Sequence, residues 1–272
     1  SDAMKLNTPR LELSLALACA ALVLLGMLGP PIAQPADHHH FADQRTLWGI
    51  PCAWDVLSNL PFALMGFIGL GWVMATPTLA RAQRGCAALF FGGLVVTAAC
   101  SAWYHWQPDD AGLVIDRLGM VIAFSGLLGL AAVDRVSGRA GVCLAAAVLL
   151  LGPLSVQAWA ASGNVLAWCV LQFGGMALML GLATLRPLAG TGGLRVGAIL
   201  LIYSVAKALE LADHAVFEWT GQMVSGHTLK HAVASLAAWP VIAALRNATE
   251  SGQNPAAKQK TKVATADRLG NA

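Results

Sequence analysis

Residues 140–159 read AGVCLAAAVLLLGPLSVQAW, twenty residues in a row without one charged side chain. An α-helix rises about 1.5 Å per residue, so this stretch spans about 30 Å, the thickness of bilayer hydrocarbon. It is too long for a buried strand and apolar on every face, so it reads as a membrane-spanning helix. Seven more stretches have the same character: 13–32, 55–76, 86–105, 116–133, 165–185, 195–217 and 226–245. Breakers separate them, among them Pro30-Pro31, Pro77, Pro108, Ser137-Gly138, Ser162-Gly163, Pro187 and Gly221. The composition agrees: 57% of the 272 residues are hydrophobic and 11% charged, whereas a soluble domain carries about 25% charged residues. The fold class expected is therefore all-α, a polytopic membrane helix bundle with a seven-helix core and one extra N-terminal helix.

The expected divisions are a membrane anchor helix or signal segment over 1–36, an outer loop over 37–54, the core over 55–246 and a disordered tail over 247–272. Ser1-Asp2-Ala3 ahead of Met4 reads as an artificial extension. Lys5 and Arg10 before the first apolar run suit a signal peptide. The long run, and Gln34 where a cleavage site wants a small residue, favour an uncleaved helix. The tail turns polar after Arg246, with Glu250, Gln253, Lys258, Lys260 and Lys262, and reads as disordered.

Some function classes drop out at once. The net charge is only +3 and no basic arm or aromatic-interleaved basic patch is present, so a nucleic-acid partner is not expected. None of the six cysteines forms a C-x-x-C pair, and all but Cys52 sit in apolar runs, as small apolar filler.

Orientation follows from the basic residues between the helices. Lys5, Arg10, Arg81, Arg84, Arg135, Arg139, Arg186, Arg195, Arg246 and the tail all fall on one side, and only Arg45 on the other, thirteen against one. Both termini are therefore expected in the cytoplasm. In a bacterium the bundle would sit in the inner membrane, with the opposite face toward the periplasm.

Ionisable groups inside a bilayer cost a few kcal/mol each on insertion scales, and so mark function. Here they gather at the ends assigned to the outer face: Asp55, Ser58 and Asn59; Ser101 and His105; Asp116; Lys207, Glu210, Asp213 and His214; His227 and His231. His227-Thr-Leu-Lys-His231 places two imidazoles one turn apart on one helix face. Ser101 and His105 repeat that spacing, and a short connection joins His105 to Asp116. Three imidazoles from two helices with a fourth position open is the pattern of catalytic zinc, whereas iron or manganese would want more carboxylates. His105, His227 and His231 are thus the expected zinc ligands, with Ser101 and Asp116 as catalytic candidates. Glu210 and Asp213 are expected behind them, orienting an imidazole or pairing with Lys207. Asp109 and Asp110 read as solvated, and the His38-His39-His40 tract receives no role. Asp55 and Asn59 either bridge helices or approach the cavity.

The set S-A-W-Y-H (101–105), D-R-L-G-M (116–120) and G-H-T-L-K-H (226–231), with W-D-V-L-S-N-L (54–60), resembles the alkaline ceramidases. These belong to a superfamily of seven-helix membrane hydrolases that also holds the adiponectin and progestin receptors. The resemblance covers about residues 55–245. It implies amide hydrolysis of a ceramide-like membrane lipid, with zinc on the three histidines, Asp116 moving the proton and Ser101 stabilising the oxyanion. W-G-I-P-C-A-W (48–54) does not match the family's acidic calcium-binding cluster, so calcium is not carried over. Two other readings stand beside it: a receptor-like or regulatory protein with structural zinc, and a transporter using Lys207, Glu210, Asp213 and the histidines as a relay. Neither the acyl chain nor the oligomeric state is legible in the sequence.

Overall fold

A computed structural model describes residues 2–253, with side chains over 8–250. The chain runs α1 (Asp2–Leu28), α2 (Ala53–Leu57), α3 (Leu60–Ala75), α4 (Arg81–Trp106), α5 (Asp110–Arg135), α6 (Gly138–Ser162) and α7 (Leu166–Cys169). A π-turn (Val170–Gly174) leads into α8 (Gly175–Ala183), followed by α9 (Val196–Leu211), α10 (Asp213–Trp219), α11 (Gly226–Ser235) and α12 (Ala238–Gln253). Among the described residues there is no sheet, only two isolated β-bridges, Ala33 with Asn164 and Leu47 with Ile50. Among the described residues, seven helical spans are long and apolar enough to cross a membrane: Thr8–Leu28, Ala53–Ala75, Arg81–Trp106, Asp110–Arg135, Gly138–Ser162, Leu166–Ala183 and Gly226–Glu250. The protein is an all-α polytopic membrane bundle.

Local chemistry sets the helix ends. The Asp109 carboxylate caps α5 by accepting from Gly112 N at 2.6 Å. Ser137 Oγ caps α6 from Ala140 N at 3.0 Å, and Ser225 Oγ caps α11 from Thr228 N at 3.0 Å. Each satisfies an N–H that the first helical turn leaves without a partner. The α4–α5 pair is packed backbone to backbone: a Cβ on Gly126 would lie 2.1 Å from Phe90 N, the small-residue contact by which helices approach in lipid. At the bundle end remote from His105, Arg135 gives its guanidinium to Leu185 O and Leu194 O and pairs with Asp134. It ties down the loop before α9.

Four expected helices differ in detail. The stretch 195–217 is not one span: it breaks at Ala212 into α9 and α10. There the Asp213 carboxylate accepts from Ala42 N at 2.9 Å and from His227 N at 2.7 Å, and Gly226 closes against Leu209 O and Asp213 Cα. The stretch 165–185 carries the π-turn, whose Gly174 faces Leu22 of α1. The stretch 55–76 turns at Ser58 and Asn59, where Asn59 Nδ2 donates to the Asp55 carbonyl. The stretch 226–245 breaks after Ser235, and its second half runs on to Gln253. The tail expected from 247 is therefore helical over its first residues; 254–272 lie outside the described residues.

Candidate metal centre

His105 ends α4, and His227 and His231 stand one turn apart at the start of α11. The three imidazoles meet, with ring centroids 4.7 Å (His105–His227), 5.0 Å (His105–His231) and 4.9 Å (His227–His231) apart. One ligand atom of each lies within 4.8 Å of the others, the only such group among the described residues. All three are buried. His105 Nδ1 is buried with no partner in the protein, a costly state for a polar atom unless something outside the chain completes it. A neutral three-nitrogen donor set suits zinc or a neighbouring transition ion. The residues present therefore fit a metal.

The surroundings fix how two of the rings are offered. Ser58 Oγ donates to the Asp55 carbonyl at 3.1 Å and lies 2.8 Å from His231 Nδ1. With its own proton committed, the hydroxyl accepts from His231 Nδ1–H, which leaves Nε2 as the bare donor atom. On the other side Lys230 Nζ lies 2.8 Å from His227 Nε2 and donates to Glu210 Oε1 at 3.0 Å. Glu210 Oε2 takes a second ammonium, Lys207, at 2.5 Å. A carboxylate thus holds Lys230 against His227, with Lys207 on its other oxygen. Asp213 holds His227 by its backbone N–H, at the positive end of α11.

Asp116, in the second turn of α5, lies next to the buried Ser101 hydroxyl, and its Oδ1 is buried without a protein partner. Ser101 is one turn before His105 on α4, so the acid, the hydroxyl and the histidine share one end of the α4–α5 pair. His214 is exposed and stands apart from this group. Asp55 bridges helices: its Oδ1 accepts from Thr228 Oγ1 at 2.7 Å and Ser225 Oγ at 3.3 Å.

A lid closes the centre. The segment between α1 and α2 crosses the bundle end and drives Phe41 onto the rings of His105 (4.5 Å) and His227 (4.7 Å). Five polar contacts, made by four of its residues, anchor it. Gln34 accepts from Arg117 at 2.6 Å; His39 meets Tyr104 at 2.9 Å and Asp110 at 3.0 Å; Ala42 N reaches Asp213; and Arg45 donates to Met223 O at 2.9 Å. Asp109, read as solvated, is engaged as a helix cap, whereas Asp110 is exposed as expected and also meets His39. The histidine tract, given no role, supplies this pin.

Sequence reasoning placed Ser58 at this end without giving it a role, and missed Lys230 and Phe41. Lys230 stands inside the H-x-x-x-H motif, and a lysine at membrane depth beside Glu210 was a signal. For Phe41 no signal existed, because a loop carries no periodicity. The fold and this centre define a polytopic membrane protein with a buried three-histidine metal-binding arrangement. No protein-family model matches the chain, and no curated protein matches it.

Proposed function

We propose that the protein is a zinc-dependent intramembrane hydrolase that cleaves the amide bond of N-acyl amphiphiles of the ceramide type. One observation carries the reading: three buried imidazoles converge, and at the same end of the α4–α5 pair as His105 the Oδ1 of Asp116 is buried with no protein partner. That is a metal-binding group and a proton carrier at one membrane depth. The resemblance of residues 101–105, 116–120 and 226–231 to the alkaline ceramidases supports it.

His105, His227 and His231 would hold zinc, which supplies Lewis acidity and a water of lowered pKa. Ser58 keeps His231 in the tautomer that presents Nε2. Asp116 accepts the proton of the attacking water as the carbon–oxygen bond forms, and passes it to the amine nitrogen as the carbon–nitrogen bond breaks. Ser101 donates to the oxygen on which negative charge builds. The products are a fatty acid and a free amine. The bias of thirteen basic residues against one supports a site on the non-cytoplasmic face, with the C-terminus inside.

The test is metal content and fatty-acid release from ceramides by the purified protein. About one zinc per chain and measurable release are expected, both lost in His231→Ala. Undiminished release by a zinc-free His231→Ala protein overturns the proposal.

A further inference from the structure

A cavity of about 750 Å³ opens beside the lid, lined by Gln34, Pro35, His39, Asp110, Trp159 and Ala160 among others. Its wall hides an unusual cation. Arg117 is 4% exposed, in the second turn of a membrane-spanning helix. No carboxylate lies within ion-pair distance of it among the described residues. Its sequence neighbour Asp116 is turned to Ser101. The guanidinium lies 4.1 Å from the Trp159 ring and 5.3 Å from the Trp168 ring. One nitrogen, Nη2, donates to Gln34 Oε1 at 2.6 Å, and the other, Nη1, is buried with no partner.

A buried charge without a counter-charge is costly, and two aromatic faces offset only part of that cost. Gln34 and Trp159 belong both to the cavity wall and to the cradle of Arg117. The Gln34 amide oxygen therefore stands where one oxygen of an anion entering the cavity would meet the fork, and Nη1 remains for the second. The cavity also adjoins the metal centre: His39 in its wall bonds Tyr104, whose ring is 5.0 Å from that of His105.

We propose that this cavity binds the carboxylate or phosphate of an amphiphile, with Arg117 as its counter-ion. Resting on the hydrolase reading, this adds acidic N-acyl lipids to its substrates and ranks them above neutral ones such as ceramides. Gln34 is the neutral stand-in that the anion displaces. The acyl chain stays among the helices while the acidic head occupies the cavity under the lid.

The test is binding to the full-length, non-hydrolysing His231→Ala chain in detergent, read by tryptophan fluorescence and calorimetry. The probes are N-oleoylglycine, its neutral counterpart N-oleoylethanolamine, and inorganic phosphate. N-oleoylglycine is expected to bind at least tenfold more tightly than the ethanolamide. Gln34→Glu, which places a carboxylate of the chain against Arg117, is expected to abolish that preference without unfolding the protein. Arg117→Gln does the same where it folds, and where it does not, Gln34→Glu carries the test. Competition by phosphate assigns the site to any oxyanion, and its absence to an acidic amphiphile; both uphold the anion site. Equal affinity for the two oleoyl probes, or an unchanged preference in Gln34→Glu, overturns it. Because binding is measured without turnover, the anion site and amide hydrolysis can fail independently.

Discussion

Replacing Ser58 with alanine deletes the hydroxyl 2.8 Å from His231 Nδ1 and leaves the Asp55 backbone as the remaining partner of the ring. The ring is 3% exposed, so water does not replace the hydroxyl. A buried N–H left without its partner costs about 1–3 kcal/mol. The ring regains that by turning over or changing tautomer, and either move withdraws Nε2 from the centre. Loss of such an orienting partner costs about 10–100-fold in metal affinity, or about 1.4–2.7 kcal/mol, and the two routes to the number agree. Ser58→Ala is therefore expected to weaken zinc 10–100-fold while leaving one site per chain. The assay is competition with a chromophoric zinc chelator on the purified protein. Ser125→Ala is the control: Ser125 is fully buried, where Ser58 is half-buried, and donates to Ile122 O at 2.7 Å, but it lies nine residues beyond Asp116, roughly 13 Å along the helix. Zinc affinity within threefold of the unmodified protein in Ser58→Ala, or an equal loss in Ser125→Ala, refutes the argument.

Glu210→Gln leaves two ammonium groups, Lys207 and the Lys230 beside His227, without their carboxylate. Zinc affinity should fall at least tenfold by like-charge repulsion, and an unchanged titration speaks against that network. Asp213→Asn replaces a carboxylate that accepts two backbone N–H groups with a side chain that can accept one. At about 1.5–3 kcal/mol for a bond to a charged group, a clear drop in melting temperature is expected, and none at all would sink the assignment. Phe41→Ala removes the ring over His105 and His227, at about 3–5 kcal/mol of lid stability. Cys52 reports on that lid. Burial, with Asp55 and Asp43 nearby, pushes its thiol up to about 11, so it stays protonated near pH 8. With the other five cysteines replaced, alkylation should be slow at pH 8, speed up about tenfold per pH unit toward 11, and be faster in Phe41→Ala at any fixed pH. A rate indifferent to Phe41 contradicts the lid.

The bundle was legible because its signal is cumulative. Twenty uncharged residues at 140–159 leave one solution in lipid, and the same holds for six other spans. What was not legible were the breaks. Residues 195–217 carry the apolar count of a span, yet end it at Ala212, because Asp213 is drawn to two backbone N–H groups from elsewhere in the chain. No local propensity encodes those partners, which are 171 and 14 residues away. Likewise the π-turn at 170–174 answers to Leu22 of α1 across the bundle. The histidines were legible for the opposite reason: i, i+4 spacing is a local geometric fact, and burial in lipid forces polar groups together. Ser58 and Lys230, equally local, were passed over because serine and lysine have commonplace roles at helix ends.

Asp213 has a thermodynamic consequence. One oxygen of its carboxylate holds the lid at Ala42 and the other holds the first turn of α11 at His227. The lid and a metal-ligating helix are thus two occupants of one group, and their equilibria are linked. Reciprocity then requires that whatever free energy metal binding adds to the hold on α11 through this group, lid closure adds to metal binding. Proteolysis of the segment between α1 and α2 should slow when zinc is added, by the same factor by which a locked lid tightens zinc. A lid whose cleavage rate ignores zinc would show the two to be uncoupled.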